Sequence, residues 1–543
     1  MKTILILGSS TKAGTYVTKQ FKKSGYRIII YDWKNLPNKY SRYVDDYINV
    51  SSPQKDLALF SKIFLNYITT NKIDAILPLH DAALEIVRYL KNKIPSTIIL
   101  MGLNEDVIYK YAHNKYDLLN LAHSLKIAVP KTIYITTLND FNKLTSIKFP
   151  CIVKPISSAL IKDNKLYLFR VSVVKNEHQL IDKLRELVLN IPVMIQEFIE
   201  GYGIGFNFIS VNGKIINSYI HKRITETDGV SSYRELLSDN TFSNKDIILE
   251  FVKNINWTGV GMIEFKVNNT TPVLMELNGR FFGSIELCVK SKLNLPKQFL
   301  EYYINKTIPV KTENFKLNTK VRNLHDEVLL YFHALFKGKI VKFFKWKFSV
   351  INSIFSKNDF IEDNFFDDPM YVASLYFYDV KRFFKSLQKK IKLKFININS
   401  NQFKADNTKP LNIAFVCLGN ICRSPFAHLY AKSVNQFHNF YSFGTIEEEN
   451  RLSPQYAIIA AKNNGIDMSK HSSLYLSTNI IKIIDVFIVM DKKNYLSLLQ
   501  LGIPNEKIKF IDNIEITDPY GKSLKNFETT YNQIKIALDK KIP

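Results

Sequence analysis

FVCLGNICRSP, residues 415–425, sets two thiols five residues apart with an arginine directly after the second. The stretch decides how the last quarter of the chain is read. An apolar run from Leu411, LNIAFVCL, has the pattern of a buried strand and delivers Cys417 near its end. SPFAHLYAKSV then begins an amphipathic helix, with Pro425 suited to the first turn. Between strand and helix, LGNIC can turn its backbone N–H groups inward as an anion nest at the positive end of that helix. Gly419 permits the close turn, and Arg423 offers a planar fork to two phosphate oxygens. The same positive field favours a thiolate at Cys417, with Ser424 placed to donate to the sulfur. Phosphoryl transfer from an ester also needs an acid for the leaving oxygen. TDPYG at 517–521 offers Asp518, which sits in a loop because proline follows it. The competing reading, a buried strand cysteine near a structural arginine, does not account for the glycine, the Ser-Pro helix start and the distant Asp-Pro together.

At these residues a family likeness becomes plain. VCLGNICRSP with the late DPYG resembles the low-molecular-weight protein-tyrosine phosphatases. SFGT (442–445), NNGIDMSKHSS (463–473) and DVFIVMD (485–491) follow in the family's order and spacing. The resemblance implies a four-stranded parallel sheet, Cys417 as nucleophile, Arg423 as phosphate binder, Asn420 and Ser424 as loop organisers and Asp518 as general acid. It implies a phosphotyrosine protein or small phosphate ester as substrate, and a Cys422 able to form a protective disulfide with Cys417. Phe443 stands where the family usually has alanine, and the acidic IEEEN follows where an aromatic residue is often found. Arsenate reductase on the same fold is the lesser alternative. That chemistry passes oxidation to further cysteines, and none follows Cys422.

The rest of the chain sets the frame. At 543 residues, a prior of roughly 100–200 residues per domain gives three or four units. A composition 46% hydrophobic and 23% charged is globular. Four cysteines (Cys151, Cys288, Cys417 and Cys422) are too few for a disulfide scaffold and suit a reducing cytosol. MKTILILGSS enters a strand pattern at once, without a secretory segment. No apolar run approaches the ~20 residues that span a bilayer. The expected location is therefore the cytoplasm. The net charge of +25 comes from lysines scattered through every segment. With no zinc-ligand spacing or RNA-binding signature, no nucleic-acid partner is expected.

Residues 1–110 alternate short apolar runs with amphipathic stretches, the βαβ rhythm of a parallel sheet. GSSTKAGT after the first run fits neither a P-loop nor GxGxxG, and Asp32 reads as a satisfied loop carboxylate rather than a ribose ligand. Residues 111–310 turn to longer strands with glycine punctuation. In EFKVNNTTPVLMELNGR, Glu264 and Glu276 fall on two strands of a hairpin, and Asn278 shares the face of Glu276. Two carboxylates and an amide oxygen are hard ligands suited to Mg²⁺. Arg280 continues that face as a catalytic cation. Lys154 in CIVKP is read either as a phosphate ligand or as a snorkelling edge lysine.

NKYDLLNLAHSLKIAVPKT, PCIVKP, QEFIEG and EFK…MELNGR together resemble the ATP-grasp superfamily, in the branch similar to carbamoyl-phosphate synthase ATP-binding domains. The likeness implies ATP phosphates on Lys115 and Lys154, adenine near Gln196, Glu197 and Ile199, and Mg²⁺ on Glu264, Glu276 and Asn278. Its usual reaction joins a carboxylate to an amine through an acyl phosphate. HKRITETDGVSSYRE is expected to be the acceptor loop, with Arg223 contacting an anion.

Residues 331–357 hold six lysines and no acid, interleaved with aromatics around Trp346. The preferred reading packs the aromatic stripe on the adjoining domain with lysines facing water; the alternative is weak contact with an anionic membrane. The expected architecture is thus an α/β multidomain chain. It comprises a pre-ATP-grasp α/β domain (1–110), an ATP-grasp α+β domain (111–310), a helical aromatic-basic extension (311–398), a polar linker (399–410) and a phosphatase-like domain (411–543). The expected function is a bifunctional enzyme, phosphatase and Mg-ATP-dependent ligase. Its alternative is a phosphatase whose ATP-grasp half only senses nucleotide or targets the enzyme.

Overall fold

The computed structural model describes residues 1–542 except 145–146, 228–229, 239–244, 269–270, 337, 399–402 and 404–407. The chain is a mixed α/β multidomain protein that divides into two units. One holds residues 1–136, 140–173 and 191–380; the other holds 137–139, 174–190 and 381–543.

The first unit opens with a five-stranded parallel sheet. In spatial order its strands are Asp46–Asn49, Arg27–Asp32, Thr3–Leu7, Ala75–Pro78 and Ile99–Leu100. All five residues of Thr3–Leu7 are buried, as a central parallel strand covered on both faces requires. Each flanking helix starts on a side-chain cap: Thr11 for Lys12–Lys23, Asp56 for Leu57–Thr70 and His80 for Asp81–Leu90. Asp32 is fully buried and accepts hydrogen bonds from the backbone of Ser9 and Lys34, the satisfied carboxylate expected.

A four-stranded sheet follows, in the order Ser172–Val174, Cys151–Pro155, Val193–Glu197, Thr132–Ile135. Beyond it lies a seven-stranded sheet: Thr271–Asn278, Gly259–Asn268, Tyr202–Val211, Lys214–Thr227, Val230–Leu237, Lys320–Arg322 and Asp359–Ile361. Phe206, Phe208, Trp257, Ile263 and Leu274 build the core beneath that sheet. The hairpin carrying the two glutamates forms as read, with Glu264 directly opposite Glu276; the tip at 269–270 lies outside the described residues.

Two expectations are corrected here. The stretch read as an acceptor loop, HKRITETDGVSSYRE, is a pair of antiparallel strands, Lys214–Thr227 and Val230–Leu237, with residues 228–229 outside the description. Polar side chains alternate along both strands, so the segment reads as a loop although its backbone groups pair. The 311–398 segment is also more than helical. Lys320–Arg322 and Asp359–Ile361 extend the large sheet, and the helices Leu324–Phe336, Ile340–Phe355 and Pro369–Phe395 surround them in sequence.

The aromatic stripe of 331–357 is not packed away as expected. Only Ser353 is buried along Ile340–Phe355, while Phe344, Phe348 and Phe355 are exposed. Apolar residues occupy two faces of that helix, and only one face has a neighbour. The polar linker 399–410 lies largely outside the described residues. Its Phe403 is buried in the carboxy-terminal core and donates its N–H to Phe510.

The second unit centres on a four-stranded parallel sheet, in the order Asn439–Gly444, Asn412–Cys417, Val486–Val489, Ile508–Phe510. The helices Arg423–Val434, Gln455–Lys462 and Leu524–Asp539 contribute to one core cluster with Phe415 and Ile488. Lys492–Gln500 contributes to another, with Val416 and Val489. Alternate residues of the strands thus feed opposite faces, and Cys417 leaves the sheet at its carboxyl edge.

Among the described residues, no helix is long and apolar enough to cross a membrane.

Candidate active sites

Cys417 is the last residue of its strand, and the loop behind it is tied down atom by atom. Asn420 adopts a left-handed backbone conformation, φ 52°, which asparagine tolerates better than most residues. Its side-chain oxygen accepts from Leu474 N at 2.9 Å, its Nδ2 donates to Ser424 Oγ at 2.9 Å, and His471 Nε2 lies 2.7 Å from its carbonyl. Burial holds His471 below the usual histidine range, although its bond to Asn420 opposes this. A neutral ring suits a donor to a carbonyl. Gly444, on the neighbouring strand, lies so close under the loop that a Cβ there would sit 3.1 Å from Gly419 C and Leu418 O.

Ser424 Oγ lies 3.0 Å from Cys417 Sγ. Asn420 donates to that oxygen, and the hydroxyl hydrogen can go to the sulfur at 3.0 Å or to the Phe443 carbonyl at 3.4 Å, the sulfur being the nearer. Arg423 opens the helix Arg423–Val434 and is 2% exposed. Nη1 donates to Asp491 at 2.6 Å and to the Ile516 carbonyl at 2.9 Å, and Nη2 donates to Asp518 at 2.9 Å. Its buried Nε has no partner among the described residues. A buried guanidinium N–H left open beside a loop at a helix start suits an oxyanion. Asp518 is 42% exposed on its side chain, open enough to meet solvent and a leaving group. Cys422 is buried, and burial, then the charges of Asp518 and Cys417, push its thiol well up. All four cysteines are free thiols.

The description of the low molecular weight phosphotyrosine protein phosphatases matches residues 412–541. An arsenate reductase of Staphylococcus aureus is 32% identical over 131 residues, covering 24% of this chain and 93% of the relative. Residues 412–541 belong to the low molecular weight phosphotyrosine protein phosphatase family. A low molecular weight protein-tyrosine-phosphatase of Klebsiella pneumoniae is 29% identical over 129 residues, covering 23% of this chain and 89% of the relative. Among solved structures, L-amino acid ligase from Bacillus licheniformis aligns with 56% of this chain and 74% of its own, at 14% identity and a TM-score of 0.44. The phosphatase-family unit thus brings Cys417, Asn420, Arg423, Ser424 and Asp518 to one loop. The residue missing from the list read off the sequence is Asp491. It lies at the end of the quoted DVFIVMD, where its strand-end position beside the loop was the available signal.

In the first unit, Lys115, Glu276, Asn278 and Arg280 line one recess, together with Asp81 and His113. Glu264 and Lys154 stand beside it. Lys154 is buried, donates to the Met275 carbonyl at 2.9 Å and lies 3.4 Å from Glu276. It is therefore aimed inward and does not snorkel. Lys115 is buried too, donates to Ser158 at 3.1 Å and is lowered from the usual lysine range, chiefly by burial. Burial raises the carboxyl of Glu276, but Lys154 and Lys115 more than reverse that and hold it at about 2. Glu264 is raised, by burial first; Arg223, 2.7 Å away, opposes this. Asn278 Nδ2 lies 3.4 Å from Glu264 and 3.3 Å from Glu276. Half a turn of that amide would align three oxygens. Two carboxylates and an amide oxygen, with no third acid or histidine completing a cluster among the described residues, fit Mg²⁺ that keeps phosphate and water ligands.

Several placements differ from the reading. Gln196 and Glu197 turn to their own sheet: Gln196 Nε2 donates to Thr132 at 3.1 Å, and the Glu197 carboxylate accepts from Lys131 N at 2.8 Å. Neither they nor Ile199 line the recess; strand Val193–Glu197 is paired on both sides within the four-stranded sheet. Arg223, expected to meet an anionic substrate, is engaged by Glu264 and Glu226. Arg280 is engaged by Asp81, Nε to Oδ1 at 2.6 Å and Nη2 to Oδ2 at 3.4 Å. Asp81 and Glu85 lie one turn apart on one helix face. Glu85 receives Tyr109 Oη at 3.2 Å and stands 3.0 Å from His113 Nδ1. Asp81, Glu85 and His113 were not singled out from the sequence, because none lies in a recognisable spacing with the others.

Proposed function

We propose that the carboxy-terminal unit hydrolyses phosphate monoesters, phosphotyrosine among them, through a cysteinyl-phosphate intermediate. The carrying observation is the convergence on one loop of Cys417 Sγ, the Ser424 hydroxyl 3.0 Å away and an Arg423 whose buried Nε is open. The thiolate of Cys417 attacks phosphorus in line as the ester P–O bond breaks, and Asp518 as a carboxylic acid gives its proton to the leaving oxygen. Water then attacks phosphorus as the S–P bond breaks. Asp518, now a carboxylate, takes the water's proton, and inorganic phosphate leaves. Loop amides and Arg423 hold the equatorial oxygens throughout. Cys417→Ser should abolish release of p-nitrophenol from p-nitrophenyl phosphate; full turnover in that variant overturns the mechanism. Asp518→Asn should lower kcat by about 10²–10⁴-fold, the range of a lost general acid.

The likeness to arsenate reductases supports a second reading of the same loop. Thiol-relayed reduction needs a thiol beyond Cys417 and Cys422, and residues 423–543 contain none. No arsenite should form from arsenate and a dithiol reductant. Formation dependent on Cys417 would favour the reductase.

For the first unit we propose Mg-ATP-dependent ligation of a carboxylate to an amine. Lys115 and Lys154 bind the phosphates, Glu264, Glu276 and Asn278 hold Mg²⁺, and Arg280 faces the transferred group after parting from Asp81. When bound, the metal offsets charge on the phosphates. The substrate carboxylate oxygen attacks the γ-phosphorus as the bond to ADP breaks, and the amine nitrogen then attacks the acyl carbon as phosphate leaves. His113, whose Nδ1 is engaged by Glu85, has its other ring nitrogen for the proton the amine must lose. ADP release that requires both a carboxylate and an amine tests this. Tight ATP binding without turnover, across amino acids and uronic acids, would favour a nucleotide sensor.

A further inference from the structure

Every residue of the helix Pro369–Phe395 from Val380 to Lys392 is exposed. Such a helix should be polar all round, and this one is not. Phe377, Val380, Phe384, Leu387, Ile391 and Phe395 recur at intervals of three and four, so they wind along one face. Phe377 is 69% exposed and Phe395 84%. Lys381, Lys385, Lys389 and Lys392 follow the same spacing along the adjacent face, and no carboxylate occurs from Val380 to Phe395. Like charges four residues apart weaken an isolated helix. Among the described residues the apolar stripe is uncovered, and the run from Val380 to Phe395 carries no negative charge of its own, so a single partner would complete both.

We propose that this helix lies in the headgroup layer of an anionic lipid bilayer, its apolar stripe among the acyl chains and its lysines on lipid phosphates. The stripe runs over roughly 27 Å at 1.5 Å per residue, enough for a stable in-plane contact. The helix is not apolar enough to span the bilayer. Lysine stems of this length reach headgroups while lying along the apolar boundary. The helix Ile340–Phe355 repeats the pattern independently. Its inner face holds Trp346 stacked on Tyr331 at 5.2 Å and buried Ser353, while Ile340, Phe344, Phe348, Ile351 and Phe355 run along the exposed face. A polynucleotide would satisfy the lysines and leave both stripes bare. A second copy would cover the stripes and oppose lysine to lysine. The bilayer answers both.

The test is co-sedimentation of the full chain with vesicles of phosphatidylcholine, with and without phosphatidylglycerol. The wild type should sediment with the anionic vesicles and remain in solution with neutral ones. Phe384→Asp with Ile391→Asp, and separately Lys385→Glu with Lys389→Glu, should each cut binding by at least about tenfold. Hydrolysis of soluble p-nitrophenyl phosphate should be unchanged, which shows the fold intact. The proposal is overturned if the wild type ignores anionic vesicles or if both double variants bind as well as wild type. It is overturned equally if the stripe variants abolish self-association on a sizing column, or if the helix charges govern RNA binding while vesicles are not bound.

Discussion

Arg423 is held by two carboxylates, and on the proposed mechanism it must also bind a phosphate. Nη1 and Nη2 are spent on Asp491, Asp518 and the Ile516 carbonyl, so a phosphate bound as proposed would find Nε open and would have to displace or share the rest. Asp491 is the fixed partner: its side chain is 16% exposed, against 42% for Asp518. It also caps the helix Lys492–Gln500 through Asn494 N, which orients it from the far side. Asp491→Asn should therefore act as a positioning change. A lost charge-assisted hydrogen bond of this kind is worth about 1.5–3 kcal/mol, or roughly 10–100-fold in kcat/KM for an aryl phosphate. The loss should fall mainly on KM, since the nucleophile and acid remain. An equal fall in kcat alone, with KM untouched, would contradict this assignment.

The elements set the two sites differently. The Cys417–Ser424 loop is a strand end and a helix start joined by five residues, and Asn420 is its keystone through three hydrogen bonds and a positive φ. Asn420→Ala should destabilise the second unit by about 2 kcal/mol, from left-handed strain alone at ~1–2 kcal/mol plus unpaired groups. Asn420→Gly should recover the strain but not the bonds. Urea unfolding followed for the two variants separates these contributions.

In the first unit the decisive contact joins the start of helix Asp81–Leu90 to Arg280, just beyond the edge strand Thr271–Asn278 of the large sheet. Burial raises the Asp81 carboxyl, and Arg280 more than reverses that, holding it at about 2. An unfolded aspartate titrates near about 3.9. The pair's contribution is therefore complete above about pH 4 and is lost as pH falls toward 2. Asp81→Asn should flatten the fall of the urea midpoint across that acid window. A wild-type and variant that fall in parallel would show that the pair does not carry it.

At the scale of the whole molecule, a net charge of +25 attracts anions at long range. Association with doubly charged aryl phosphates should slow as salt is added, because the Debye length shrinks from about 30 Å at 0.01 M to about 8 Å at 0.15 M. The expectation is a fall in kcat/KM with ionic strength at constant kcat, and a kcat/KM independent of salt would refute it.

By itself the sequence determined the local geometry of the Cys417–Ser424 loop, a strand end turned into a helix start. Cys417, Asn420, Arg423 and Ser424 lie within eight residues, and short-range backbone geometry carries their relation wherever the loop is placed. It likewise determined the glutamate hairpin, since strand pairing across a short turn follows from local alternation. Tertiary structure alone decided that Arg423 is held by Asp491, 68 positions away, and Arg280 by Asp81, 199 positions away. It also decided that Gln196 donates to Thr132 and Glu197 accepts from Lys131, and that the apolar faces of two basic helices are uncovered among the described residues. Hydrophobic spacing says that a residue faces one side of a helix; only the packed neighbours say whether that side is covered.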